Sequence, residues 1–290
     1  MGRITKEQLA IIDSLTCERL TISEANKTVI QNFENNRNKG LADSLREEAW
    51  EEDANGSVAY YLIKDKEGNA LFFFSLKCGA LFEQLNEEQL KQNATYWKAL
   101  ERILKNSDNG DQTAILILEK LRSGKNLTKD DLKEIIKIQS KKKRRALEHL
   151  LAEKTSETNE NIVRVSTTHS GVELVHFCAN DNKKSIWKTL GLPQSLGVVV
   201  FWHFIVPRIC EVQNVVGCKY AFLFAADLSE DGSLINYYQT DLHFEAPNDI
   251  GTSKPFYDFT CKFMCQTVNR LLEAQHNFYD NFNPDEGDVI

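Results

Sequence analysis

The order of elements across residues 172–244 constrains this chain more than any other feature. Val172-Glu-Leu-Val-His-Phe-Cys178 reads as a strand, and Gly191-Leu-Pro-Gln194-Ser-Leu-Gly197 reads as a turn-rich loop. A long apolar helix then runs from Val198 to Val216, where Gly217 stops it. Residues 219–226 form the next strand, residues 234–238 a short helix and residues 242–244 a further strand. A strand feeding a glycine-bearing loop at a helix start is one way to hold a phosphate. The free N–H groups of the first turn and the positive end of the helix dipole both face the anion.

On these residues the chain resembles the GNAT N-acetyltransferase superfamily. That family's pyrophosphate loop, Gln/Arg-x-x-Gly-x-Gly/Ala, lies between its fourth strand and third helix. Gln194-Ser195-Leu196-Gly197-Val198-Val199 is similar to it, with Val199 in place of the final small residue. The family's aromatic-Tyr pair a few residues before Gly-Phe resembles Tyr237-Tyr238 ahead of His243-Phe244, with His243 where Gly is usual. The match in order and spacing covers about 75 residues.

The resemblance implies an α/β fold: a mixed, mostly antiparallel sheet of six to seven strands with helices on both faces and a helical insertion. Residues 1–85 would form the N-terminal part, 86–161 the insertion, and 162–290 the C-terminal part with the CoA-binding core. It implies acetyl-CoA as acyl donor, held between splayed fourth and fifth strands. The pantetheine arm would run along the backbone of His176, Phe177 and Cys178. The diphosphate would meet Gln194, Ser195 and the N–H groups of Leu196, Gly197, Val198 and Val199. Tyr238 would donate a proton or hydrogen bond to the departing thiolate, which suits a phenol that stays protonated at neutral pH. The acceptor is an unidentified amine, and neither a metal nor a covalent enzyme intermediate is expected.

The residues leave the base open. Glu173, Asp181 and Asp227 fall near the ends of the two central strands, and His176 and His203 sit in apolar runs. Each also has a plain structural reading, as a solvated or capping carboxylate or a satisfied core histidine. Pro207 inside the helix pattern predicts a kink or break.

Upstream, residues 18–24 read as a first strand, and residues 28–33 and 41–50 as helices. Residues 57–63 and 70–76 flank a Gly68-Asn69 turn and predict a hairpin. Apolar stripes at helical spacing mark the insertion, for example Ala114, Leu118 and Leu121. Residues 259–265 fit either a last strand or the start of a helix.

A net charge of −7 argues against a general pull towards nucleic acid or an anionic membrane. Seven cysteines without a Cys-x-x-Cys pair predict a reducing, cytoplasmic setting. The apolar run at residues 198–206 is broken by His203 and too short to cross a bilayer. Two rival classes stay open. One is a catalytically degenerate GNAT-like module binding acyl-CoA or a protein. The other is an RNA-directed acetyltransferase toxin, resting on the basic run Lys141-Lys-Lys-Arg-Arg145 alone.

Overall fold

The computed structural model describes residues 3–83, 102–122, 168–227, 229, 231–248, 250–252 and 261–279. Two compact units make up the chain: Met1–Phe82 with Thr167–Ile290, and Glu83–Ser166. In the second unit, Ile103, Ala114, Ile117 and Leu118 bury against one another, the last three on the helix Gln112–Arg122. Ala114 and Leu118 thus lie in one cluster, while the Leu121 side chain and residues 123–167 fall outside the described set.

The first unit is built on one sheet. Its strands are β1 (Thr16–Arg19), β2 (Ala59–Lys64), β3 (Ala70–Glu83), β4 (Thr168–Ala179), β5 (Tyr220–Ala225), β6 (Ile250–Gly251) and β7 (Lys262–Thr267). The order is β1-β2-β3-β4-β5-β7, with β6 on β3. The β4–β5 pair is parallel; its neighbours along that path are antiparallel. This is the mixed, mostly antiparallel α/β sheet of six to seven strands that the resemblance implied.

Period-2 alternation decides which side chains face which layer. Tyr60, Leu62 and Phe73 point to one side, where α2 (Ala25–Gln31), α3 (Lys39–Glu47) and α4 (Ala49–Ala54) cover them with Ile30, Leu45 and Ala49. Ile63, Phe72 and Phe74 point to the other. There they meet α1 (Lys6–Ile12), the short helix Lys184–Thr189 and the 21-residue helix Leu196–Val216. Residues 41–50 were expected to form one helix; α3 and α4 share that span instead.

The β2–β3 hairpin follows its turn chemistry. Gly68 takes φ +82°, a conformation that costs glycine little. The Asp65 carboxylate accepts the N–H groups of Glu67 and Asn69 at 3.0 and 2.8 Å. The first strand is shorter than expected. It ends at Arg19, and a 3-10 turn over Leu20–Ile22 follows. There Thr21 donates its N–H and hydroxyl to Asp53 at 3.1 and 2.6 Å rather than to a strand.

The long helix does not break at Pro207. It winds as a π-helix over Val200–Ile205, resumes as an α-helix over Val206–Val216, and stops at Gly217 with φ 71°. Val206 N–H bonds the Phe201 carbonyl, five residues back. In that register Pro207 would have served the Trp202 carbonyl, but proline has no N–H to give. The side chain of Gln275, on the helix Val268–His276, donates to that carbonyl instead at 2.6 Å, in a buried bond. Gln275→Leu is expected to leave the carbonyl unpaired and to cost about 1–3 kcal/mol in urea unfolding. A loss under a few tenths would contradict this account of the π turn.

Taken whole, residues 196–216 are longer and more apolar than the run at 198–206 suggested. With a mean hydropathy of 1.4, the helix meets a membrane-crossing test by length and composition. Its Phe201, Trp202 and Ile205 are nevertheless packed in the core under the sheet.

Two expectations near the C-terminus resolve differently. Lys262–Thr267 is a strand and a helix follows directly. Residues 242–244 are not a strand: Leu242 and Phe244 are buried, and His243 sits at φ 60°. The conformation for which glycine is usual is therefore present with histidine in it, and a turn there precludes pairing.

Candidate functional site

The central parallel pair is short. Gly171, Val172 and Glu173 of β4 align with Tyr220, Ala221 and Phe222 of β5, and the ladder ends there. On its other side β4 stays paired with β3 as far as Ala179. From Leu174 onward β4 therefore has a free edge within the sheet, towards the strand that has left it. A bulge starts the divergence: Ser75 pairs with His176 and Leu76 with Leu174, so Val175 is extra. A bulge bends its strand and sharpens the local twist. It also breaks the alternation. Val175 and His176 both face the α2–α4 layer, and Phe177 returns to the side of the long helix.

The glycines beside this fork serve packing. Gly79 and Gly171 are cross-strand partners. A Cβ on either would lie 2.5 or 3.1 Å from the Phe222 ring, which covers both.

At the mouth of the long helix, Ser195 is the N-cap, its hydroxyl accepting Val198 N–H at 3.4 Å. Val199 N–H bonds the Ser195 carbonyl at 3.1 Å. Of the four N–H groups expected to meet a diphosphate, only those of Leu196 and Gly197 bond no described residue. The Val199 side chain is fully buried. Gln194 is also engaged inward: its Nε2 donates to the Arg3 carbonyl at 3.1 Å and its own carbonyl accepts Trp187 Nε1–H at 3.0 Å. The Gln194 side chain thus anchors the N-terminal segment. Gly197 has a close neighbour in Tyr237. A Cβ there would stand 2.7 Å from the Tyr237 hydroxyl and 3.4 Å from the Phe177 ring.

Tyr237 and Tyr238 lie on the helix Ser233–Thr240, capped by Asp227, which accepts the N–H groups of Leu234 and Ile235 at 3.1 Å each. Tyr238 packs its ring 6.4 Å from Phe177 on the free stretch of β4 and 6.4 Å from Phe244. Burial pushes its phenol well above the usual range, and Cys178 and Asp227 push the same way. It therefore stays protonated at neutral pH.

The candidate bases separate on their partners. Asp227 is the helix cap just described. Asp181 accepts Asn36 N–H at 2.7 Å and pairs with Lys184 at 2.6 Å. His203 bonds the Tyr279 hydroxyl through Nδ1 at 2.9 Å. Glu173 makes no hydrogen bond to a described residue. Half-buried on the last paired position of β4, it is raised above the usual carboxylate range by burial, with Lys77 opposing. His176 stacks on Tyr60 at 5.4 Å and bonds Ser75 Oγ through Nδ1 at 2.7 Å. Burial lowers its pKa, so the ring is neutral at pH 7. Cys178 is buried and its thiol is pushed up to about 12. It is inert at neutral pH, and what it offers the fork is backbone.

An open cavity of about 600 Å³ lies elsewhere, lined among others by Gln239, His243, Gln266 and Arg270, and contains none of the expected site residues. Among the described residues no group of three or more His, Cys, Asp or Glu side chains is placed to hold a metal ion.

No protein-family model matches the chain, and no curated protein does. Solved structures do match. The AtaTR complex bound with acetyl-CoA aligns with a TM-score of 0.47 at 12% identity, covering 90% of this chain and 98% of that one. AtaT complexed with acetyl-methionyl-tRNAfMet aligns with a TM-score of 0.46 at 12% identity, over 90% and 98%. A tyrosine-to-phenylalanine mutant of KacT aligns with a TM-score of 0.44 at 12% identity, over 90% and 99%.

Proposed function

We propose that this chain is an acetyl-CoA-dependent N-acetyltransferase that moves an acetyl group to a primary amine by direct attack in a ternary complex. The observation that carries the reading is the fork. The parallel pair stops after Glu173 and Phe222, and Tyr238 packs against the Phe177 ring on the stretch of β4 beyond it. Backbone groups of His176, Phe177 and Cys178 would hold the pantetheine arm there as a further strand would. Leu196 N–H, Gly197 N–H and the Ser195 hydroxyl would meet the diphosphate.

Acetyl-CoA supplies an activated acyl group. The amine nitrogen bonds to the carbonyl carbon, the C–S bond breaks, and the thiolate takes a proton from Tyr238. The proton leaving the amine passes to solvent water. The thiols of Cys17, Cys78, Cys178, Cys210 and Cys218 support a reducing, cytoplasmic setting.

The test is thermal. Acetyl-CoA at a hundredfold over its Kd is expected to add about 2.7 kcal/mol of stability, with no such gain from ADP at equal concentration. No shift at millimolar acetyl-CoA would overturn the reading. A second reading, a binding module without turnover, is favoured by the Tyr237 hydroxyl above Gly197, which narrows the helix mouth. Thiol release across an amine panel separates the two. An RNA-borne amine belongs in that panel. Its sequence basis, residues 141–145, lies outside the described residues.

A further inference from the structure

The two faces of the fork differ in what they offer. Tyr238 and Phe177 lie on the side of the long helix. Alternation on β5 sets the other face. Ala221, Leu223 and Ala225 pack under the long helix, so Phe222 and Phe224 point away from it. Phe263 of β7 is the cross-strand partner of Phe224, with ring centroids 5.9 Å apart. Phe222 joins the pair at 6.3 and 6.1 Å. Phe222 is buried, while Phe224 and Phe263 are only half-buried. Phe224 also lies past the end of the parallel ladder, which stops at Phe222. No β4 residue pairs with it, and it borders the opening.

Glu173 belongs to the same face. Val172 and Leu174 on either side of it are buried towards the long helix, and Glu173 itself aligns with Phe222. Its half-buried carboxylate makes no hydrogen bond or ion pair with a described residue. Lys77, its cross-strand partner on β3, is exposed and does not close an ion pair with it. A half-buried carboxylate gains from a cation that brings N–H donors. A half-covered aromatic platform gains from an apolar group laid against it. Phe224 is two residues beyond Phe222, roughly 7 Å along the strand from the level of Glu173. One small ligand, charged at one end and apolar at the other, reaches both.

We propose that this face is the acceptor site, and that the acceptor is a primary amine carried on an aromatic group, its ammonium on the Glu173 carboxylate and its ring against Phe224 and Phe263. That the ligand is an acceptor rests on the acetyltransferase reading above; that it binds does not. The amine reaches the fork from one side of the sheet, with Tyr238 on the other. A bare alkylamine meets Glu173 and leaves the platform wet. An aromatic alcohol covers the platform and leaves the carboxylate without a cation. An aromatic carboxylate is repelled by Glu173. Only an arylalkylamine satisfies both halves of the site.

The test is a ligand panel on the full-length protein, titrated by ligand-observed NMR at pH 7.5 without acetyl-CoA. Phenethylamine is expected to bind at least about tenfold more tightly than ethylamine, which lacks the ring. It is expected to bind at least about tenfold more tightly than 2-phenylethanol, which lacks the charge. Glu173→Gln should abolish the preference over the alcohol and keep the preference over ethylamine; Phe224→Ala should do the reverse. Phenethylamine that binds no better than either control overturns the proposal, and that arm needs no variant. So does a Glu173→Gln protein that keeps both preferences. Turnover separates the two levels. Wild-type protein that acetylates ethylamine as efficiently as phenethylamine removes this site and leaves the acetyltransferase reading. Protein that prefers phenethylamine but neither binds nor consumes acetyl-CoA overturns the acetyltransferase reading and the acceptor role, and leaves the amine site standing.

Discussion

Tyr238→Phe is expected to lower kcat for acetyl transfer by about a hundredfold or more while leaving acetyl-CoA affinity intact. The reasoning starts from the leaving group. A CoA thiolate departs readily, but a positioned proton donor lowers the barrier to its departure. Tyr238 is buried at 9% exposure, with its ring held between Phe177 and Phe244. Burial and the nearby Cys178 and Asp227 groups keep the phenol protonated across any ordinary assay pH. Its hydroxyl bonds no described residue, so its removal should leave the fold and the thermal shift with acetyl-CoA as they were. An interaction made only in the transition state lowers kcat and kcat/KM together. A variant with wild-type kcat would remove Tyr238 from the mechanism. A variant that loses acetyl-CoA binding but keeps kcat would make it a binding residue.

Asp53→Ala should be the most damaging single change to the fold described here, costing about 3–5 kcal/mol. The Asp53 side chain is fully buried, while its partner Arg19 is partly exposed. It accepts Arg19 Nε–H, the N–H and hydroxyl of Thr21, and the N–H of Tyr60 at 2.8 Å. One carboxylate thereby ends β1, sets the 3-10 turn and fixes the start of β2. Alanine would remove the carboxylate that Arg19 Nε–H and the backbone N–H groups of Thr21 and Tyr60 all donate to. The measurement is the urea midpoint at constant slope. A loss below 1 kcal/mol would show that water replaces the carboxylate. Because Tyr60 stacks on His176, the same variant should also disturb that ring, seen as a changed His176 resonance.

The sequence made some elements legible because their causes are local. Gly68-Asn69 between two aromatic runs marked the hairpin, since a positive φ needs glycine there and Asp65 closes the turn. Gly217 marked the end of the long helix for the same reason. Tyr238 was found through its spacing to Phe244. The bulge was not legible. Nothing in Val172-Glu-Leu-Val-His-Phe-Cys178 shows that Val175 is extra, because a bulge is defined by the partner strand. Strict alternation would have set Val175 and His176 on opposite faces; they share one. The π turn was missed likewise, since the group that relieves Pro207 lies 68 residues away, at Gln275.

By itself the sequence determined the order of most strands and helices and the glycine stops, because periodicity, capping and turn conformation act within a few residues. Only the tertiary structure decided how far β4 and β5 run together, which helix N–H groups stay unbonded and which side chain His176 Nδ1 meets. Each of those depends on a partner distant along the chain: Phe222 opposite Glu173, Tyr237 against Gly197, Ser75 against His176. Hydrogen-bond satisfaction in a buried site depends on what surrounds a group in space, and the neighbours along the chain do not specify that.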